Sequence, residues 1–229
     1  MSAVLYTSPV LDRWCKASGK DWTAYIGHPF VKGLSDGTLP EASFHHYLIQ
    51  DYIFLVHFTR AWAMAVVKSE SLEETKISAT MVDTLINVEI QLHVETCKNI
   101  GISEERLFLA EESFENLAYT RFVIDAGLSG DFLDLMAALA PCVFGYGVIG
   151  AALEKTASSN TPYQEWIKAY ASKDYQDLCD VLGSMVEKSA LARLGDEPEK
   201  SPRWNALCKR FNTATRLEIG FWKMGLRGH

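Results

Sequence analysis

The spacing of apolar residues is the feature of this sequence that most restricts its fold. Apolar residues recur at i, i+3, i+4 and i+7 along most of the chain, and alternating runs rich in Val, Ile and Thr are nearly absent. An α-helix places residues at these intervals on one face, whereas a β-strand alternates its faces with a period of two. The pattern therefore predicts an all-α fold, with the helices packed as an up-and-down bundle.

Capping signals and turn residues divide this pattern into helices. Three pairs have the spacing of a capping box, in which each side chain bonds the other residue's amide: Thr38 with Glu41, Ser71 with Glu74, and Thr161 with Gln164. We expect long helices near 9–25, 40–68, 72–99, 112–127, 130–157, 173–190 and 202–226, and shorter ones near 29–36 and 162–171.

The candidate linker in this chain is the stretch 195–203, which is rich in Gly, Pro and charged residues. The helix that follows it has an apolar face that has to be buried against the rest of the protein. We therefore expect a single helical domain covering residues 1–229.

Composition excludes several classes of protein. The formal net charge of −7 and the scattered Lys and Arg residues argue against binding nucleic acid. The five cysteines are far apart and form no CxxC pair, so neither a disulfide framework nor a zinc site is indicated. The N-terminus does not resemble a signal peptide, and we expect no uninterrupted apolar segment of 18 residues. These features predict a cytoplasmic protein with no membrane segment.

Two carboxylates interrupt apolar helix faces. Asp51 follows Tyr47 and Leu48 on the face of one predicted helix, and Glu218 occupies the centre of the apolar face of the last helix. A buried ionised carboxylate is costly unless it is paired, hydrogen-bonded or set against a ligand cavity. Each residue can therefore be a structural carboxylate bonded to a neighbouring helix or a group that binds a ligand.

Cys142 lies on a third apolar face, one helical turn before Tyr146. A single cysteine is commonly a small buried apolar residue. However, the surrounding segment PCVFGYGVIG places three glycines and a proline in a helix that each of them disfavours. This composition indicates either close helix packing or room for a ligand.

Glu89 and His93 form a further polar pair on an apolar face. Their spacing of four residues allows the two side chains to hydrogen-bond. Helical bundles also bind di-iron centres with Glu and His, but through a Glu-x-x-His motif and additional carboxylates. From the residues alone, a non-catalytic ligand-binding protein is as reasonable an interpretation as an enzyme.

Strings that contain these residues resemble the TenA/thiaminase II family in order along the chain. The family implies an all-α fold resembling heme oxygenase, with no heme, and Cys142 matches the subgroup with an active-site cysteine. The matching strings are HPFV (28–31), GTLP (37–40), YLIQDY (47–52), FTRA (58–61), EIQLH (89–93), APCVFGY (140–146) and LEIGFW (217–222).

The resemblance implies a hydrolase of thiamin salvage. The expected reaction converts 4-amino-5-aminomethyl-2-methylpyrimidine into its hydroxymethyl analogue and ammonia, with slower cleavage of thiamin into hydroxymethylpyrimidine and thiazole. In this scheme Cys142 is the nucleophile that attacks C6 of the pyrimidine. Asp51 anchors the ring, and Glu218 protonates the leaving amine and then activates water.

The resemblance also implies an aromatic substrate site. Tyr119, Tyr146 and Tyr170 match family tyrosines, and Phe221 follows Glu218 on the same side of the last helix. Phe54 stands where many relatives have tyrosine, so it keeps the ring and lacks the hydroxyl. All five side chains are expected to contact the pyrimidine.

No metal or other cofactor is expected, and the predicted partners are a small aminopyrimidine substrate and further copies of the chain in a homotetramer. Two other functions stay open. One is a non-catalytic pyrimidine-binding or accessory protein in which Cys142 is idle. The other is a metal-dependent oxidase that uses Glu89 and His93.

Overall fold

The computed structural model describes residues 5–228, and most of these residues are helical. Residues 5–228 form no β-strand, which confirms the predicted all-α fold class. The α-helices are α1 (Pro9–Ser18), α2 (Lys20–Ile26), α3 (Pro29–Asp36), α4 (Glu41–Lys68), α5 (Leu72–Thr84), α6 (Ile90–Asn99), α7 (Glu104–Phe108), α8 (Phe114–Ser129), α9 (Phe132–Thr156), α10 (Gln164–Ala171), α11 (Lys173–Leu194) and α12 (Trp204–Arg227).

Two predicted helices are interrupted in the structure. The segment 9–25 contains both α1 and α2, because Gly19 adopts a φ of +49° and its N–H bonds the carbonyl of Cys15. A positive φ is accessible to glycine and ends a right-handed helix. Between α5 and α6 the helix continues through a π-helical turn, Leu85–Glu89, instead of regular α-helix.

The predicted capping boxes are only partly correct. The Ser71 hydroxyl accepts a hydrogen bond from the Glu74 N–H, but the Glu74 carboxylate accepts from the Glu70 N–H instead of returning the bond. Thr38 bonds Asp36 and does not cap α4. Thr161 accepts from the Tyr163 N–H, and Gln164 donates to Ser158.

Helix α9 lies at the centre of the bundle. It packs against α8, α10, α11 and α12, and 17 of its 25 residues are buried. Contrary to the sequence-based expectation, α9 is long and apolar enough to cross a membrane, with a mean hydropathy of 1.8. In this structure 78% of that apolar window is buried inside the protein, as the core helix of a bundle requires.

The packing of α4, α9 and α12 brings the three polar residues together. Each of these helices contacts the other two, and they carry Asp51, Cys142 and Glu218 respectively. Large aromatic rings fill the space around them, with Trp222 stacked on Phe30 at 4.8 Å between ring centroids. The predicted apolar faces therefore meet at one place in the core.

Candidate active site

A small cavity opens beside Cys142, between α4, α9, α10, α11 and the π-helical turn. Its volume is about 30 Å³, enough for one or two water molecules. Of the predicted site residues, it brings together Asp51, Phe54, Cys142, Tyr146 and Tyr170. The other lining residues are Leu55, Phe58, Met81, Glu89, Val143, Tyr175 and Leu178.

Three predicted site residues lie outside this lining and pack against its wall. The rings of Tyr119 and Phe221 lie 5.0 and 5.7 Å from the Phe54 ring, measured between centroids. Glu218 is bonded to Tyr119. In this structure Tyr119 and Phe221 therefore support Phe54, and their contact with substrate stays a prediction.

Asp51 is a buried carboxyl group whose neighbours leave hydrogen-bonding capacity unused. The Tyr47 hydroxyl donates a long hydrogen bond of 3.4 Å to Oδ2, and Nδ1 of His93 lies 3.6 Å from the same oxygen. Burial raises the pKa of Asp51 to about 7, although the Tyr47 hydrogen bond opposes this shift. A planar donor such as an aminopyrimidine could therefore pair with this group in either protonation state.

His93 is held by α4 and faces Asp51 instead of pairing with Glu89. Its Nε2 lies 2.7 Å from the carbonyl oxygen of Leu48, which assigns the ring proton to Nε2. Burial lowers the pKa of His93, so the ring is neutral at pH 7. The hydrogen bonds of residues 5–228 include none between His93 and Glu89, because the imidazole is held by α4.

Glu218 is the most deeply buried carboxyl group of the site, with 1% of its surface exposed. The Tyr119 hydroxyl donates a 2.8 Å hydrogen bond to its Oε1. Burial raises the pKa of Glu218 to about 8, against the effect of this hydrogen bond, and the charge of Asp51 adds to the rise. At neutral pH this side chain carries a proton that it can donate.

The Cys142 thiol is half-buried on α9. Burial raises its pKa well above the ordinary value, and the nearby charges of Glu218 and Asp51 raise it further. Tyr146, one helical turn after Cys142, has its hydroxyl 3.4 Å from that of Tyr47. No hydrogen bond within residues 5–228 reaches the Cys142 thiol. Because its pKa is raised, the thiol is protonated at neutral pH and needs a base before it can attack.

Two tyrosines fix the backbone on either side of Cys142. The Tyr25 hydroxyl on α2 donates to the Pro141 carbonyl at 3.2 Å, and the Tyr175 hydroxyl on α11 donates to the Val143 carbonyl at 3.1 Å. A Cβ at Gly145 would lie 2.2 Å from the Tyr25 ring. This glycine therefore serves close helix packing, one of the two explanations that the sequence left open.

Tyr47 is a site residue to which the sequence assigned no role. Its hydroxyl touches both Asp51 and Tyr146, and the Trp166 indole N–H donates to it at 3.3 Å. Its position four residues before Asp51 places both side chains on one helix face, which is the signal that could have identified it. Tyr47 links the carboxyl group on α4 to the aromatic wall formed by α9 and α10.

The metal-centre alternative gains no support from the side-chain arrangement. Within the described residues, no group of three or more His, Cys, Asp and Glu side chains is placed to hold a metal ion. The Leu48 carbonyl holds His93, and Glu89 forms no side-chain hydrogen bond or ion pair within residues 5–228, whereas di-iron bundles need several converging carboxylates.

The fold and the cavity together define a helical bundle that encloses a polar, aromatic-walled small-molecule site. The chain belongs to the TENA/THI-4/PQQC family, which matches residues 17–228. The predicted family relationship is thus confirmed over nearly the whole described chain.

Named relatives and a solved structure agree with this membership. The chain is 36% identical to an aminopyrimidine aminohydrolase of Halalkalibacterium halodurans, covering 89% of each protein. It is 39% identical to an uncharacterized protein of Haemophilus influenzae, covering 90% of this chain and 93% of that protein. A crystal structure described as a TenA family transcription regulator from Silicibacter sp. TM1040 is 51% identical, with a TM-score of 0.94 over 96% of this chain and 97% of that chain.

Proposed function

We propose that this protein is an aminopyrimidine aminohydrolase that uses Cys142 as a nucleophile. The observation that carries the proposal is a cysteine in an enclosed cavity beside Asp51, with the protonated Glu218 close by. The relative from Halalkalibacterium halodurans bears the name of this activity. The proposed substrate is 4-amino-5-aminomethyl-2-methylpyrimidine, and thiamin is a slower second substrate.

Each site residue acts in a particular step of the proposed reaction. Asp51 binds the amino group and a ring nitrogen of the pyrimidine, as the donor pattern of an aminopyrimidine allows. The Cys142 sulfur adds to C6, and Glu218 gives its proton to the departing nitrogen as the bond to the methylene breaks. Glu218 then removes a proton from water as the water oxygen bonds the methylene, and the S–C6 bond breaks to restore the ring.

The cavity has to widen when a pyrimidine enters. A volume of about 30 Å³ does not hold a six-membered ring with three substituents. Tyr170 is half-buried and packs edge-on against Tyr146 at 4.8 Å between centroids. Rotation of Tyr170 and of the half-buried Leu178 provides the simplest opening, because the Tyr170 hydroxyl forms no hydrogen bond within residues 5–228 and Leu178 is apolar.

Steady-state kinetics on the aminomethylpyrimidine and thiamin, measured side by side, test this function. We expect turnover of both compounds, with a larger kcat/KM for the aminomethylpyrimidine. If purified protein binds the pyrimidine in calorimetry but never turns it over, the non-catalytic binding protein is the correct interpretation. If turnover requires added iron or manganese and stops with a chelator, the oxidase alternative replaces the proposal.

The proposal includes a cytoplasmic location, one domain, and no nucleic-acid or membrane partner. It also includes a homotetramer, which is supported by exposed apolar side chains on the helices from the π-helical turn to α8. Phe108, Leu109 and Phe114 are 67%, 74% and 87% exposed. Light scattering after size exclusion should give about four times the 25.6 kDa chain mass. A monomer would refute the tetramer and leave the proposed reaction intact.

A further inference from the structure

Glu89 is a third carboxyl group of the cavity, and the proposed reaction gives it no role. It ends the π-helical turn Leu85–Glu89 and lines the cavity together with Cys142. π-Helical turns inside α-helices occur frequently at functional sites. Glu89 is half-buried, and the hydrogen bonds and ion pairs of residues 5–228 do not include its side chain. A carboxyl group in this setting is available to exchange a proton.

Glu89 and Glu218 have different positions relative to the cavity, because Glu89 lines it together with Cys142 and Glu218 lies outside its lining. Electrostatic interactions couple Glu89 to Cys142, Tyr170 and Tyr175. Glu218 is instead bonded to Tyr119 on α8. Of the two glutamates, Glu89 therefore shares the cavity with the thiol.

The other two carboxyl groups are already committed in the proposed reaction. Asp51 is bonded by Tyr47 and holds the ring. Glu218 must carry a proton when the amine leaves, and one carboxyl group cannot both hold that proton and accept another from the thiol. Since the Cys142 thiol is protonated in this environment, the attack needs a separate base.

We propose that Glu89 is the base that removes the Cys142 proton when the sulfur attacks the pyrimidine, an inference that rests on the proposed function. As the S–C6 bond forms, the proton moves from Sγ to a Glu89 carboxylate oxygen, directly or through one water molecule. Glu218 independently protonates the leaving nitrogen. When the S–C6 bond breaks at the end of the cycle, Glu89 returns its proton to the sulfur, so protons balance at both carboxyl groups.

The ionisation of Glu89 suits this step. Burial raises its pKa to about 7, and the charge of Asp51 adds to the rise, so an appreciable fraction is ionised at neutral pH. The pKa of Asp51 lies in the same range. An inflection of the rate near pH 7 is therefore assigned to Glu89 only if it disappears when Glu89 is replaced. The ionisable groups on the surrounding helices are Asp51 of α4, Asp83 of α5, His93 of α6, Cys142 of α9, Tyr170 of α10 and Tyr175 of α11.

Alkylation of Cys142 by iodoacetamide between pH 6 and 9 tests the inference without any substrate. Peptide mass spectrometry separates Cys142 from the other cysteines. In Glu89→Gln we expect the rate at pH 7 to fall at least about tenfold, the equivalent of one pKa unit. The inflection near pH 7 that we expect in wild type should vanish, and Glu89→Asp should restore part of the rate.

If Glu89 acts on the thiol only through its negative charge, the alkylation rate changes in the opposite direction. If Glu89 is only a negative charge beside the thiol, its removal lowers the thiol pKa, and alkylation becomes faster. A faster or unchanged rate therefore overturns the inference. Glu95→Gln removes one charge from the exposed side of α6 and should leave the rate unaltered.

Hydrolysis of the aminomethylpyrimidine provides the second readout. In Glu89→Gln we expect kcat/KM to fall on the order of 10²-fold. If wild type shows no hydrolysis while alkylation depends on Glu89, the proposed function fails and the pairing of Glu89 with Cys142 stands. If Glu89→Gln does not fold, as judged by circular dichroism, the alkylation profile of Glu89→Asp measured beside wild type decides. An inflection near pH 7 that shifts or shrinks in Glu89→Asp supports the inference, and identical profiles overturn it.

Discussion

Two buried glutamates in this protein have opposite chemistry. Glu74 and Glu218 are 5% and 1% exposed. Burial alone would raise the pKa of Glu74, but hydrogen bonds from Arg193 and Ser189 outweigh it, and the pKa lies below the ordinary value. Glu218 has one neutral partner, Tyr119, and burial raises its pKa to about 8. The hydrogen-bond partner, and not the depth of burial, decides whether a buried carboxyl group is ionised in a salt bridge or keeps its proton as an acid.

The volumes of the cavities beside the two glutamates do not indicate which region carries the reactive groups. The cleft beside Glu74 and Arg193 has a volume of about 340 Å³, more than ten times that of the cavity beside Cys142. Its charges are already paired, with Arg193 Nη1 2.6 Å from Glu74 Oε1. The smaller cavity holds carboxyl groups without cations and a cysteine. Unpaired ionisable groups are therefore the better guide to chemistry here.

Replacing the nucleophile is the strongest test of this contrast. Cys142→Ser should reduce kcat on the order of 10³-fold or more, because a serine hydroxyl is far less acidic than a thiol and is a far weaker nucleophile. Pyrimidine binding in calorimetry should persist. Cys208→Ser, at a half-buried cysteine of α12, is the matched control and should keep full activity. Undiminished hydrolysis by Cys142→Ser would rule out nucleophilic catalysis by this residue.

Removing the acid should separate the two glutamates by activity. Glu218→Gln keeps the shape of the side chain and loses the proton, so kcat should fall on the order of 10²- to 10³-fold with binding largely kept. The measurement is kcat and KM on the aminomethylpyrimidine. A rise in KM alone would mean that Glu218 binds substrate and does not transfer a proton.

Removing the structural carboxylate of Glu74 should lower the stability of the fold and leave the activity intact, unlike the replacement of Glu218. Glu74→Gln leaves the Arg193 guanidinium buried without its anion, so the free energy of unfolding should fall by about 3 kcal/mol. Activity per folded molecule should be unaltered, because Glu74 lies outside the cavity lining. Urea denaturation followed by circular dichroism gives the free energy. A loss below about 0.5 kcal/mol would show that Glu70, 3.4 Å from Arg193, replaces the partner.

The smallest expected effect is a difference in pH dependence. The pKa of Glu218 is raised in the folded state, so its stability contribution is present below the unfolded pKa of about 4.3 and is lost as the pH rises toward 8. Glu218→Gln should therefore gain about 1–3 kcal/mol over wild type between pH 5 and pH 8.

For Glu74, whose pKa is lowered, the stability contribution is present above the unfolded value and lost as the pH falls through the folded one. The deficit of Glu74→Gln should accordingly shrink below pH 4. Urea midpoints at pH 4, 5, 7 and 8 check both signs. Parallel pH profiles for the two variants would remove the contrast between the two glutamates.

The sequence predicts the fold well because apolar periodicity is a local property of each helix. The same periodicity places Asp51, Cys142 and Glu218 on core-facing stripes, and the packing of α4, α9 and α12 does bring those stripes together. The break at Gly19 escaped prediction, since a glycine in a helix is common and its φ depends on how α1 and α2 pack. The short α7 has too few residues to show a period.

Protonation states are the part that the sequence could not supply. Whether a carboxyl group keeps its proton depends on partners far away in the chain, such as Tyr119 for Glu218 and Arg193 for Glu74. The spacing of Glu89 and His93 suggested a pair, but the Leu48 carbonyl on α4 captures the histidine. Site chemistry here comes from contacts between helices, which no local pattern encodes.

The two tyrosine hydroxyls beside Cys142 also bear on how the protein assembles. Tyr25 is 116 residues from Pro141 along the chain, and Tyr175 is 32 residues from Val143. Helices can form quickly from local contacts, whereas contacts between distant segments form only after long loops close. The reactive sulfur reaches its final position when α2 and α11 have both docked on α9. Recovery of thiol reactivity during refolding should therefore lag behind recovery of helical circular dichroism.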